Sequence, residues 1–442
     1  MTDTPLHLLT ATAALARLRA GTLTVEAYAQ ALLHRIAQRD DAVRAWAYLD
    51  PEYVLEQARA LDGVPADKRG PLHGLPIGVK DVIYTKDMPT QHNSPIYKGS
   101  FPKVDSASIM ILRHAGALIF GKTATTEFAA TTVGPKTRNP HSATVDRTPG
   151  GSSSGSGAAV GDAQVPLALA TQTGGSTIRP ASFNGIYALK PTWGAVSREG
   201  QKVYSLLLDT LGWYAREVAD LALLADVLGV RDDEPSPGPT FRGLSGARFA
   251  LCQSPVWSQA GPGTRAALSR AAAILRAHGA TIDELTLPPS FAAVPEWHRV
   301  LLHTDGRATF LPEHRVAKGD LHGSLAVYVD TPGFSRREQL AAQDGIAALR
   351  PKFDELAASY DAVLTPSVVD EAPEGLGWTG EAAFCSALHV PVVNIPGFQG
   401  ENGMPIGVSL VAPRFHDRRL LKVAEAVGRV FEAEGGWTRR LL

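Results

Sequence analysis

Residues 106–123 read SASIMILRHAGALIFGKT. The first part reads as a helix stopped at Gly116, and Ala117 to Phe120 follows as a buried strand. Upstream, GLPIGVKDVIYTKD (74–87) is a short β-branched run broken by Gly and Pro, which predicts a strand and a tight turn. Downstream comes a long stretch rich in Thr, Gly, Pro and Ser (Thr123 to Gly157), and then the apolar AAV and VPLALATQTGGS segments. Helices alternating with apolar strands predict a layered α/β fold around a largely parallel or mixed sheet.

The pattern extends to both ends. Residues 1–65 read as helical, with Thr24 capping a helix whose apolar face runs Val25, Tyr28, Leu32 and Ile36. Residues 231–242 (RDDEPSPGPTFR) are polar and Pro-rich. Because ARFALC (247–252), a helix over 264–279 and the strand TIDEL follow, they read as a long connection inside one fold. Asp361 to Thr365 and Pro391 to Ile395 read as further short strands, and residues 418–436 as an amphipathic helix. No internal repeat is evident.

The chain has 442 residues, and by surface scaling about three-quarters of the unfolded surface can be buried. Forty-three basic against forty-four acidic residues leave a net charge of −1, which offers no footprint for nucleic acid. The two cysteines, Cys252 and Cys385, form no CxxC and no Cys/His pairing, which excludes a disulfide scaffold and a thiolate zinc site. No apolar run approaches the roughly 18 residues of a membrane span, and Asp3 interrupts any signal-like start. The expectation is a cytoplasmic protein with no membrane partner.

Two motif matches fail on context. Gly116 to Thr123 fits the phosphate-loop pattern GxxxxGK[ST], but its middle residues, Ala-Leu-Ile-Phe, favour a buried strand followed by a Gly-Lys turn. Gly151-Ser152-Ser153-Ser154-Gly155 fits the nucleophile elbow of α/β-hydrolases, with Ser153 as nucleophile and Asp361 and His389 as formal partners. That elbow needs a strand directly before it, and Asp146 to Gly151 reads as a loop.

A third constellation joins Lys80, the stretch PGGSSSGSGAAVG and the stretch TQTGGSTIRPASFNG. Gly174-Gly175 before Ser176 can bring successive backbone N–H groups to one carbonyl oxygen, as an oxyanion hole requires. No histidine lies in these segments. A lysine whose neutral form is made available by burial can serve as base, with a second serine relaying the proton.

GLPIGVKD, RTPGGSSSGSGAAV, TQTGGSTIRPASFNGIYALKP and VPVVNIPGFQGENGMPIGVSLVAP together resemble the amidase signature family, from about residue 70 to the C-terminus. Residues 231–380 match in outline only. The resemblance implies a single α/β/α domain over 66–442, a large twisted mixed sheet covered by helices on both faces. Residues 1–65 pack on it as a helical segment, and 231–380 form the divergent, substrate-pocket part. It further implies a Ser–cis-Ser–Lys triad: Ser176 as nucleophile, Ser152 as bridging serine after a cis peptide bond from Gly151, and Lys80 as base. The 24-residue separation of the two serines agrees with the family. The N–H groups of Thr173, Gly174, Gly175 and Ser176 would form the oxyanion hole, and Gly151, Ser153 and Arg179 would contact substrate. No metal or cofactor is implied.

Two departures from the family pattern stand out. Ser154 replaces a common Gly, a strain only where φ is positive. Gln172 replaces the acid of DTGGSxR, and Arg179 follows the nucleophile by three residues instead of two, available to a substrate carboxylate or to backbone carbonyls.

The expected function is hydrolysis of a small-molecule amide through an acyl-enzyme, with carbamates or esters in the same site. Three alternatives stand beside it: the glutamine-amidase subunit of a tRNA-dependent amidotransferase, a non-catalytic binding protein, and an α/β-hydrolase using Ser153. The amidotransferase subunit normally carries the Asp and the Ser-x-Arg order missing here, and it works with partner subunits. Pocket contributors expected from the divergent stretch are Trp297, His298, His303, Tyr328 and Trp378. The i, i+5 spacing of His298 and His303 argues against a metal pair. A homodimer is left open.

Overall fold

Alternation along Leu167-Ala-Leu-Ala-Thr-Gln172 divides the molecule in two. Leu167 and Leu169 pack into one hydrophobic core and Ala168 and Ala170 into another, because successive side chains of a strand point to opposite faces. The structure, a computed structural model, describes residues 4–232, 240–378 and 384–439.

The strands are β1 (Trp46–Tyr48), β2 (Pro76–Lys80), β3 (Leu118–Thr123), β4 (Leu167–Gln172), β5 (Tyr187–Lys190), β6 (Thr210–Ala215), β7 (Arg248–Cys252), β8 (Thr281–Leu285), β9 (Ala362–Pro366), β10 (Val392–Gln399) and β11 (Pro405–Val411). They form one eleven-stranded sheet in the order β1-β3-β2-β4-β6-β5-β10-β11-β9-β7-β8. It is mixed: β2 lies parallel to β3 and β4, and β7 to β8 and β9, whereas β4–β6–β5–β10–β11–β9 pair antiparallel.

The helices are α1 (Ala11–Arg19), α2 (Val25–Val43), α3 (Pro51–Asp62), α4 (Ala107–His114), α5 (Ser154–Gly161), α6 (Ile178–Phe183), α7 (Val218–Val227), α8 (Pro262–Ala277), α9 (Val294–Thr309), α10 (Leu311–Ala317), α11 (Gly323–Asp330), α12 (Arg336–Ala358), α13 (Phe384–Ala387) and α14 (Asp417–Glu434). α1–α4, α7, α8 and α14 bury their apolar faces in the first core. α5, α6, α9, α12 and α13 contribute to the second. The chain is therefore a single α/β domain with helices on both faces of a large mixed sheet, as the sequence implies.

Local signals act where they are strong. The Thr24 hydroxyl accepts from the Ala27 N–H, and Val25, Tyr28, Leu32 and Ile36 are all buried. Gly116 and Gly279 close α4 and α8 with positive φ, which glycine adopts without a Cβ penalty. One expectation fails: the strand after Gly116 does not end in a Gly-Lys turn. β3 runs on through Gly121, Lys122 and Thr123, all buried. Lys122 is tolerated inside because its ammonium meets Asp81 at 3.2 Å and donates to the Thr90 hydroxyl at 2.6 Å. β1, β5, β6 and β11 go beyond what the sequence pattern predicts. Within the polar connection 231–242, residues 233–239 lie outside the described residues.

The N-terminal helices are tied to the sheet by buried polar contacts. The Asp220 carboxylate on α7 accepts the N–H groups of Ala11 and Thr12, both at 2.8 Å, and so caps α1 from a distance. Replacing Asp220 with alanine leaves two helix-end donors unpaired. The expected cost is about 1–3 kcal/mol, read as a lower urea midpoint at unchanged slope. An unmoved midpoint would show that this cap contributes nothing.

Candidate active site

Ile77 and Val79 lie in the first core, so the pleat of β2 turns Gly78 and Lys80 toward the other face. Lys80 is fully buried among hydroxyls. Its Nζ lies 2.8 Å from Ser152 Oγ, 2.9 Å from Ser153 Oγ and 2.7 Å from Thr171 Oγ1. No carboxylate touches it among the described residues. Burial therefore holds its pKa well below lysine's ordinary 10.5, opposed only by the charge of Asp209. The Ser153 hydroxyl donates to the Thr171 carbonyl at 3.2 Å, so toward Lys80 it acts as an acceptor. The Ser152 and Thr171 hydroxyls are left to face the remaining N–H and the lone pair of a neutral amine.

Ser152 follows a cis peptide bond from Gly151. Its carbonyl accepts from the Thr125 hydroxyl at 3.0 Å and the Thr126 N–H at 3.3 Å, which pins the serine loop to the end of β3. Ser154 is the first residue of α5 and is not a positive-φ position, so serine in place of glycine carries no backbone strain there. α5 approaches β3 closely: a Cβ on Gly155 would run into the Ala45 carbonyl oxygen and the Ala124 backbone.

Gln172 ends β4, and the chain turns through residues 173–176 into α6. Every carbonyl of this turn has a partner behind it. Thr173 O meets His298 Nε2 at 3.1 Å, Gly174 O accepts from the Ser386 hydroxyl at 2.7 Å, and Gly175 O accepts from the Arg179 N–H at 2.8 Å. Ser176 O accepts from the Ser153 N–H and the Tyr214 hydroxyl. The N–H groups of Gly174, Gly175 and Ser176 donate to nothing among the described residues. The Ser176 side chain is half-buried, and no hydrogen bond joins its hydroxyl to that of Ser152 among the described residues.

Gln172 and Arg179, the second departure, each have partners in place. The Gln172 amide oxygen accepts the N–H groups of Thr177 and Ile178 at 2.8 and 3.0 Å, and its nitrogen donates to the Ser386 hydroxyl at 2.9 Å. It thus caps the start of α6 without charge. Arg179 donates to the Gly151 carbonyl at 2.9 Å, and its guanidinium lies over the Trp378 ring, 5.2 Å from the centroid. Of the two kinds of partner open to Arg179 in the sequence, a backbone carbonyl is in place.

Lys80, Ser152, Ser153, the 173–176 turn, Gly151 and Arg179 thus meet in one place. The rival constellations do not form. The middle residues of GxxxxGKT lie in β3 and leave no open loop. No strand precedes Ser153, His389 is bonded to the Leu207 carbonyl, and Asp361 pairs with Arg419. Among the pocket candidates, His298 and Trp378 reach the site. Trp297 packs against Gly345 of α12, and His303 packs on Tyr328 and Phe334. Thr171 opens the TQTGGSTIRPASFNG stretch with no role assigned to it there, and Asp209 and Ser386 sit in no motif. Among the described residues no group of acidic, His or Cys side chains is arranged to hold a metal ion, and no helix is long and apolar enough to cross a membrane.

The model of the family described as Amidase matches residues 27–421. A glutamyl-tRNA(Gln) amidotransferase subunit from Chloroflexus aggregans is 34% identical, with 97% of each chain covered. The native peptide amidase of Stenotrophomonas maltophilia superposes with a TM-score of 0.83 at 28% identity, covering 99% of this chain and 98% of that one. A protein from a vestigial complex that bears on the origins of an s-triazine catabolic enzyme gives 0.84 at 26%, covering 98% and 100%. Fold and site together define a hydrolase of carbon–nitrogen bonds. The chain belongs to the amidase family, the amidase-signature enzymes.

Lys80 also leaves a mark on stability. Unfolded, it holds its proton up to about its ordinary value, whereas the folded chain releases it at lower pH. Between those two values the unfolded state binds more protons, so this group's contribution to stability rises with pH. Lys80→Met removes the dependence. Its melting temperature relative to the unmutated protein should be highest at the acid end of a scan from about pH 6 to pH 9 and fall as pH rises. A difference flat in pH would mean that Lys80 keeps an ordinary pKa.

Proposed function

We propose that the chain hydrolyses amides through an acyl-enzyme on Ser176, with Lys80 as base and Ser152 as relay. The observation that carries this reading is the fully buried Lys80, surrounded by hydroxyls and without a carboxylate. A neutral amine there takes the Ser152 proton while the Ser152 oxygen takes that of Ser176. The Ser176 oxygen then bonds to the amide carbon, and the negative charge formed on the carbonyl oxygen meets the unpaired N–H groups of residues 174–176. Return of the proton through Ser152 to the amide nitrogen releases the amine and leaves an ester on Ser176. Water, deprotonated by the same relay, cleaves that ester. The relay needs rotation of the Ser176 side chain toward Ser152, a tightening of the kind active-site hydrogen bonds undergo when substrate binds.

Two settings for this chemistry are open to test. One is a stand-alone amidase for small amides. The other is the glutamine-amidase subunit of a tRNA-dependent amidotransferase, which the curated relatives support better: the Chloroflexus aggregans protein bears an amidotransferase name and aligns over nearly its whole length. In that setting the chain would work with partner subunits.

Fluorophosphonate labelling with peptide mapping tests the chemistry. The adduct is expected on Ser176, and Ser176→Ala, Ser152→Ala and Lys80→Ala should each lower amide turnover by at least about 10³-fold. An adduct on Ser153 that persists in Ser176→Ala would overturn the assignment. Ammonia release from glutamine only when candidate partner subunits are co-expressed would select the amidotransferase setting. Turnover of a small-amide panel by the isolated chain would select the other.

A further inference from the structure

Thr173 is held from two sides. Its carbonyl meets the buried His298 at 3.1 Å, and its hydroxyl donates to Asp209 Oδ1 at 2.6 Å. Asp209 is itself buried, and its carboxylate also accepts the N–H groups of Tyr204 and Ser205 at 2.7 and 3.3 Å. It forms no ion pair with a side chain among the described residues. The Arg198 guanidinium binds its backbone carbonyl, at 3.0 Å. A buried carboxylate of this kind is costly unless it is well bonded, and this one directs its strongest contact at the residue that begins the turn.

We infer that Asp209 is a positioning residue for the reaction: through the Thr173 hydroxyl it fixes the 173–176 turn so that the N–H groups of residues 174–176 converge on the developing oxyanion. The inference rests on the acyl-enzyme reading above and adds a residue that touches neither substrate nor nucleophile. A turn built on two consecutive glycines has little stiffness of its own. The carbonyls of Thr173 and Gly174 are fixed by side chains from α9 and α13, and the Thr173 side chain, where the turn begins, is anchored by Asp209. An oxyanion donor displaced by an ångström loses most of its effect, so the anchor acts on rate more than on binding.

A second consequence concerns charge. Burial pushes Asp209 up to about 6, against its hydrogen bonds and the Arg198 cation, so it carries charge above that pH. The charged groups that face it are Arg198, Lys80 and, through Tyr204 and Ser205, the phenol of Tyr204 and the carboxylate of Asp305. Its charge favours the protonated form of Lys80. Removing that charge lets Lys80 become neutral at lower pH and moves the acid limb of the rate profile down.

The test is the rate of Ser176 phosphonylation by an alkyl fluorophosphonate, from about pH 5.5 to pH 9. It compares the unmutated chain with Thr173→Val, Thr173→Ser and Asp209→Asn. Thr173→Val, which keeps shape and loses the hydroxyl, should label roughly ten- to a hundredfold more slowly. Thr173→Ser should restore most of that loss, and Asp209→Asn should move the acid limb down by roughly half a pH unit. Equal rates for Thr173→Val and Thr173→Ser would overturn the inference, as would an Asp209→Asn limb that stays in place. Where Asp209→Asn does not fold, the two Thr173 variants decide. Failure of the underlying reading looks different: the unmutated chain then gives no adduct on Ser176.

Discussion

Burying an ammonium group is the constraint around which this active site is arranged. Two lysines enter the interior on neighbouring parallel strands, Lys80 on β2 and Lys122 on β3, and are treated in opposite ways. Lys122 receives the Asp81 carboxylate at 3.2 Å and remains a structural cation, with its pKa lowered only to about 8. Lys80 receives three hydroxyls and, at 3.4 Å, the Thr171 carbonyl, and no carboxylate among the described residues. An unpaired buried charge costs several kcal/mol even after the protein relaxes, so the less costly state of Lys80 is the neutral amine. Asp81, the next residue in the chain, points its carboxylate to Lys122 and away from Lys80. The difference between the two lysines is the destination of one carboxylate.

The rest of the site follows from close approach. The second core includes small side chains on the central strands, Ala168 and Ala170 on β4 and Ala188 on β5. Small residues let the Gly- and Ser-rich start of α5 lie against the sheet, bringing Ser152 and Ser153 to Lys80. They also let α6 begin directly after the 173–176 turn. The first core, on the opposite face, has no such restriction and is filled with Leu, Ile, Phe and Trp213.

What the sequence reveals and what it hides both have physical causes. The α4–β3 alternation, the capped α2 and the strand carrying Lys80 are written in local pattern, as are the glycine-serine stretches that carry Ser152 and Ser176. β5, β6 and β11 are buried on both sides and read as short runs without alternation, β6 and β11 interrupted by Gly, so periodicity has nothing to detect. β3 looks shorter in the sequence than it is because a lysine normally ends a buried strand. Its acidic partner lies 41 positions earlier in the chain, and that pairing exists only in three dimensions. Asp209 and Ser386 escape for a related reason. Each acts on the site through contacts to residues far away in sequence, and a lone Asp or Ser carries no spacing to read.

Gln172 shows how a single change of residue type can propagate through such contacts. An aspartate at this position could accept the N–H groups of Thr177 and Ile178, as the glutamine oxygen does. It could not also donate to the Ser386 hydroxyl, whose own hydrogen goes to the Gly174 carbonyl. The amide therefore links the helix cap to the back of the turn in one chain of hydrogen bonds, Gln172 to Ser386 to Gly174. It does so without placing a full negative charge beside the 173–176 turn. With no acid at residue 172 to claim it, Arg179 turns to the Gly151 carbonyl and the Trp378 ring. There it steadies the peptide that leads into Ser152. Arg179, which lies just after the 173–176 turn, thus ties it to the serine loop that meets Lys80.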